Sequence, residues 1–357
     1  MAKPLYKKEE AANRILRSLE GKSHLSDAPE TLTGDILPME EALSDIASLM
    51  DGSLAGEAGV LPFGIASTPA KYSDSKFFYV IRDHVNAADT NSGENPAYPL
   101  RTVQRAVNLS RSYHGDTIFV TSSASWQYGA ALETGVVECV VIPPTKPGIA
   151  LVGVSRGSEG VYWQPTGSAG WCIRVQALDV TIDGFCFWSN ASTCNGIYMD
   201  WNGPSAYGEN TIICNNTFTD DCDYAIQMEY TWYVDIFNNR FQQNNLAGII
   251  VSPTGSGVQY VRVYDNWFND CIGPAMQLGE CDYSLIRSNH IFNNEAQKSG
   301  SFAGLGIHTA SGSHNLIEDN YLSCHKGTLG VFCKASPSDA WINNHCMDGD
   351  PVLIPGI

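Results

Sequence analysis

The chain has 357 residues, 43% apolar and 17% charged, with 38 acidic against 21 basic side chains and a net charge of −17. This length and apolar content suffice for a large core and exclude wholesale disorder. The acidic balance excludes a general nucleic-acid or anionic-lipid binder, because such surfaces need cationic groups to displace phosphate counterions.

No run of roughly 18 apolar residues occurs, so no membrane insertion is expected. The opening stretch, MAKPLYKKEEAANRIL, turns acidic before any apolar segment, unlike a secretory signal. The eleven cysteines include no Cys-x-x-Cys pair, which argues against a disulfide framework and a zinc ribbon. Most adjoin apolar residues, as in Glu138-Cys139-Val140. They read as small buried hydrophobes in a reducing cytoplasm.

Residues 1–52 carry helical periodicity, with Ala12, Ile15, Leu16 and Leu19 on one stripe and Met39, Leu43, Ile46 and Met50 on another. Stripes this narrow do not hold isolated helices together. The segment therefore reads as a docking element for a partner. Residues 53–76, rich in Gly, Ala, Ser and Pro, read as a linker. Residues 77–120 then hold an entry strand and a helix over 100–109, whose Val103, Ala106 and Val107 share one face. Short β-type runs fill 121–350, and 351–357 form a tail.

Within those runs the chain repeats. One template is apolar, two variable residues, Asn, one variable residue, apolar. It occurs at Ile213–Phe218, Ile236–Phe241, Val263–Phe268, Ile286–Ile291 and Ile317–Leu322, and degenerately at Trp341–Cys346. Its asparagines are Asn216, Asn239, Asn266, Asn289, Asn320 and Asn344, 23 to 31 residues apart. A seventh copy, Ile182–Phe187, carries Phe185 in place of Asn. A second template places a small residue before an apolar one, as in Gly196-Ile197, Ala225-Ile226, Gly248-Ile249, Ala275-Met276, Gly306-Ile307 and Gly330-Val331, and keeps step with the first.

Two short strands per repeat, many times over, predict a coil whose equivalent strands pair in register about 4.8 Å apart. The recurrent Asn has two readings. It stacks as an amide ladder along the coil, or it tolerates a left-handed turn.

The entry segment Phe77–Val80, the Asn86–Gly93 loop, the Pro99–Val107 stretch, Gly115–Ile118 and the Pro147–Gly153 run, followed by these repeats, resemble the right-handed parallel β-helix of the pectate-lyase-like superfamily. In character they are closest to bacteriophage tailspikes. The resemblance covers about residues 77–350. It implies an all-β, right-handed parallel β-helix (solenoid) with a capping helix, to which the periodicity of residues 1–52 adds an N-terminal helical docking segment. It implies no single activity, since this architecture serves lyases, hydrolases and inert adhesins alike.

The sharpest local chemistry lies on the second template. With Ile197 and Met199 inward, Tyr198 and Asp200 point outward, and Gln227 and Glu229 occupy the equivalent places one rung on. Two carboxylates about 5 Å apart suit a retaining glycosidase, one as acid/base and one as nucleophile. Tyr198, Trp201, Gln227, Tyr230, Trp232 and Tyr233 would then line a carbohydrate site. The competing reading is chance adjacency among many acidic side chains. No cofactor is expected, calcium being the one ion such carboxylates could hold. The acidic run Asp220-Asp221-Cys222-Asp223 reads as a solvated turn. Arg240, Arg262 and Arg287 occupy different template positions and do not converge as a lyase would require.

The leading functional expectation is a structural bacteriophage virion protein: a spike, fibre or capsid-decorating adhesin. It would dock on other virion proteins through residues 1–52, assemble in the host cytoplasm as a homotrimer, and present the coil to a host-surface polysaccharide or receptor. The alternative is a polysaccharide-degrading glycoside hydrolase or lyase acting through Asp200 and Glu229. A second alternative is a non-viral carbohydrate-binding surface protein.

Overall fold

The structure, a computed structural model, describes residues 74–121, 136–154, 160–164, 170–188, 195–200, 208–219, 222–244, 246–252, 257–271, 273–292, 306–322, 333–346 and 351–352. The docking segment and nearly all of the linker read from the sequence lie outside these residues, as do Trp201, Asp220 and Asp221.

The chain from Asp74 onward is a parallel β-solenoid. Among the described residues three sheets run along it, of ten, nine and seven strands, together with a two-stranded ribbon. The sequence suggested two strands per repeat; there are three. The first template spans two of them, because its Asn sits at a corner. Ile213 and its equivalents lie in the first sheet, and Phe218 and its equivalents lie in the second. The second template forms the third sheet.

Pairing is in register throughout, for example Ile182, Ile213, Ile236, Val263, Ile286, Ile317 and Trp341 in one column. Register follows from burial. A one-residue slip would turn every one of these side chains from the core to water. Phe187, Phe218, Phe241 and Phe268 form a second buried column, with ring centroids 4.3–5.0 Å apart and nearly parallel planes. The small residues of the second template are steric. A Cβ on Gly196 or Gly248 would collide with the backbone oxygen of Ala225 or Ala275 and with a Phe ring of the core.

The corner asparagines stack. Each side-chain Oδ1 accepts from the backbone N–H of the preceding ladder Asn, at 2.9–3.1 Å from Asn216 through Asn320. Each Nδ2 donates to a carbonyl of the preceding turn: Ile182, Ile213, Ile236, Val263, Ile286 or Ile317. At the first rung the backbone N–H of Phe185 donates to Asn216 Oδ1, so the ladder ends where Phe replaces Asn. The left-handed conformation belongs instead to the residue before each ladder Asn: Asn215, Asn238, Asp265, Ser288, Asp319 and Asn343, all with φ between 50° and 54°. The recurrent Asn is thus the amide ladder, and the left-handed turn falls to its neighbour rather than to the Asn itself.

The entry strand Phe77–Ile81 pairs directly with Thr117–Thr121 and is the first strand of the ten-stranded sheet. Helix α1 (Val103–Leu109) packs Val103, Ala106 and Val107 onto the first turn of the core. It begins later than the expected residue 100, because Thr102 is extended and serves as N-cap. Asp89 accepts from the Arg101 and Thr102 backbone N–H groups, and Glu138 from those of Val103 and Gln104, satisfying donors the first turn leaves open. At the other end, Pro351–Val352 pairs antiparallel with Asn344–Cys346.

Candidate functional site

The Asp200/Glu229 constellation comes together from neighbouring strands of the third sheet. Tyr198 pairs with Gln227, and the Glu229 N–H donates to the Met199 carbonyl, so the two carboxylates rise from adjacent strands. The outward direction is as expected; the exposure is not. Asp200 is 5% exposed. It accepts from Arg174 Nε at 2.5 Å and from Arg174 Nη2, and from Gln176 Nε2 at 3.0 Å. Arg174 stands one turn earlier, paired with Tyr198.

The Tyr198 hydroxyl donates to Glu229 Oε2. Burial, that bond and the adjacent Asp200 carboxylate push the phenol well above its ordinary range, so it stays protonated. The Trp171 ring stacks on Tyr198 at 4.0 Å, and the Arg174 guanidinium lies 5.9 Å over the ring. The pair foreseen as an open catalytic couple is therefore a packed cluster, with Asp200 held by a guanidinium that also opposes a bound cation. Tyr198 is covered, and it offers no free ring face to a sugar. Gln227, Tyr230 and Trp232 are half-buried, and among the described residues of the expected carbohydrate-binding set only Tyr233 is prominently exposed.

Tyr233 belongs to a second arrangement that the sequence reading did not assemble. At the corner leading into the ten-stranded sheet, one backbone position recurs turn after turn: Asp179, Asn210, Tyr233, Tyr260, Tyr283 and His314. Backbone hydrogen bonds link Asp179 N–H to Glu209 O, Asn210 to Trp232, Tyr233 to Gln259, Tyr260 to Asp282 and Tyr283 to Ser313. All six residues are left-handed, with φ of 52–59°.

Asp and Asn adopt this conformation readily, whereas a bulky L-residue there is strained by about 1–2 kcal/mol. After Gly148 one turn earlier, the chain uses Asp179 and Asn210 at this position and then aromatic rings on four turns in succession. The rings stack at 5.1, 5.7 and 5.1 Å, with planes within 20°. Even so, Tyr233, Tyr260 and Tyr283 are 42–54% exposed. Their edges line a shallow groove of about 320 Å³ with Asp235, Arg262 and Leu285. Arg262 forms a bidentate pair with Asp235.

A third column, Trp267, His290, Tyr321 and His345, stacks on the outer face of the nine-stranded sheet at 5.1–5.5 Å. On the ten-stranded sheet, burial pushes the Asp183 carboxyl upward, offset in part by the donors Asn215 and Cys214. Arg240, Arg262 and Arg287 do not meet: Arg262 pairs with Asp235, and Arg287 approaches Glu318 at 4.0 Å.

Over residues 156–301 the chain is similar to the family described as "Periplasmic copper-binding protein (NosD)". No curated protein matches it. The donors needed for copper do not come together: among the described residues no three His, Cys, Asp or Glu side chains form a group that could hold a metal ion. The thiols of Cys281 and Cys333 are fully buried in the core, and burial pushes them up to about 12. His290 and His345 are separated by Tyr321 within their column.

The family match corrects the expected virion location, since the matching family is described as periplasmic rather than viral. The inference from cysteine content fails for a physical reason. Cys172, Cys186, Cys214, Cys222, Cys271, Cys281 and Cys333 are buried within the coil, a role for a small apolar side chain that is open in any compartment.

Proposed function

We propose that this chain is a non-viral, non-catalytic carbohydrate-binding β-solenoid of the bacterial periplasm or cell surface, and that the aromatic corner formed by Tyr233, Tyr260, Tyr283 and His314 is its binding edge. One observation carries the reading: four consecutive turns place a bulky ring where the backbone favours Asp or Asn, and they leave it exposed. Strain repeated at an exposed surface, and not demanded by the core, points to a ligand. The periplasmic setting comes from the family similarity alone.

Hydrolysis at Asp200 and Glu229 is the weaker reading, because Asp200 is sealed and ion-paired. The test is retention of the purified chain on insoluble polysaccharides, compared with Tyr260→Asn and Asp200→Asn. Retention lost in the first variant and kept in the second supports the binding edge. Polysaccharide cleavage that disappears in Asp200→Asn would overturn it.

A further inference from the structure

The corner rings cannot act as ordinary sugar platforms. A sugar stacks on the face of an aromatic ring, and here each interior face is covered by the next ring along the coil, at 5.1–5.7 Å. What remains exposed is the row of ring edges, which carry the hydroxyls of Tyr233, Tyr260 and Tyr283 and end at the His314 imidazole. Among the described residues none of these three hydroxyls has a protein hydrogen-bond partner. Resting on the glycan-binding reading above, we infer that this edge is a hydrogen-bonding rail, and that its ligand is a neutral, extended, β-linked polysaccharide lying parallel to the solenoid axis with one sugar per turn.

Three features converge on that ligand class. The first is spacing. The rings of the rail repeat at 5.1–5.7 Å, and an extended β-1,4-linked hexose chain advances by a similar distance per sugar. A helical α-linked chain does not keep that register. The second is chemistry. A phenol both donates and accepts, so one residue type can serve successive sugars although alternate rings of such a chain are flipped. The third is charge. Among the described residues that line the groove the one arginine, Arg262, is already engaged by Asp235. The chain as a whole carries −17. A uronate polymer would meet repulsion and find no unpaired cation among the described residues that line the groove.

Titration calorimetry of the full chain tests this, with β-1,4-linked gluco-oligosaccharides of two to six units, α-1,4-linked oligosaccharides of matched length, and oligogalacturonates. The expected affinity rises with each added β-linked sugar and levels off near four. The α-linked and uronate series bind at least about tenfold more weakly, the loss expected when register or charge fails. Tyr260→Phe keeps the ring and removes only the hydroxyl, and should weaken the tetramer by about two- to tenfold, the range of one hydrogen bond.

An affinity that levels off at two sugars, equal binding of uronates, or an unaffected Tyr260→Phe would overturn the rail while leaving a glycan-binding protein. Absence of binding to every glycan tested would overturn both readings. Tyr260→Asn, which suits the left-handed backbone, serves as the folded control that removes ring and hydroxyl together, and it should abolish the length dependence.

Discussion

Two corners of this solenoid share a backbone conformation and differ in everything built on it. At the corner between the ten- and nine-stranded sheets, the left-handed residue is small and polar on every repeat that carries a ladder Asn, and that Asn turns inward to satisfy the turns on either side. At the corner that leads into the ten-stranded sheet, the same conformation is held by Asp179 and Asn210 and then by three tyrosines and a histidine. The first corner agrees with local preference at every step. The second departs from it where the side chains reach solvent. Local rules broken in the service of the core would bury their residues; these are exposed, which is why the departure reads as recognition rather than architecture.

The comparison can be broken at either corner. The largest effect is expected from Asn266→Ala. It removes the acceptor for two donors of Asn239 and the donor to Ile236, Tyr264 and Asn289, all buried except the partly buried bond to Tyr264. Equilibrium urea unfolding should show a loss of about 3 kcal/mol or more. Exporting the aromatic corner to the polar one, by Asn238→Tyr, should lower stability by about 1–2 kcal/mol without disturbing the ladder, since Asn238 is exposed at φ 53°.

The reverse exchange, Tyr260→Asn, should raise stability by about 1 kcal/mol while glycan binding is lost, a trade of binding for stability that a purely structural tyrosine would not make. Comparing the melting temperatures of these two variants separates the accounts directly.

The smallest effect concerns Asp183, whose Oδ2 is buried with no hydrogen-bond partner among the described residues. Its folded-state pKa is raised by burial. The native state therefore binds the proton more tightly than the unfolded chain, and this group's contribution falls as pH rises from the unfolded value through the folded one. Asp183→Asn should remove that decline and stabilise the protein at neutral pH by less than about 1 kcal/mol, read from urea midpoints across the acidic range.

The coil was legible in the sequence because buried columns impose their identity on every turn. Ile213, Ile236 and Val263 must match since each touches the next, and the Asn beside them must match since each bonds the next. What escaped was the third strand, hidden because the Asn template runs across a corner and reads as one unit. The aromatic rail escaped for the opposite reason. It is exposed, so only four turns keep it, and alignment on buried positions passes over it. Its signal was present all the same: Tyr233, Tyr260, Tyr283 and His314 each stand three residues before the first apolar residue of the template.

For Asp200 and Glu229 the sequence conveyed adjacency but not environment. Arg174, which closes the site, lies 26 residues from Asp200 and belongs to a turn outside the Asn template.

Because every ladder asparagine recognises only the turn before and the turn after, the solenoid has no fixed length written into its interior. Duplicating one whole repeat, such as residues 239–265, would insert a new Asn between two that accept it and would add one more tyrosine to the edge. The same molecule could in this way be lengthened to hold a longer stretch of polymer, its reach growing by tandem duplication rather than by redesign.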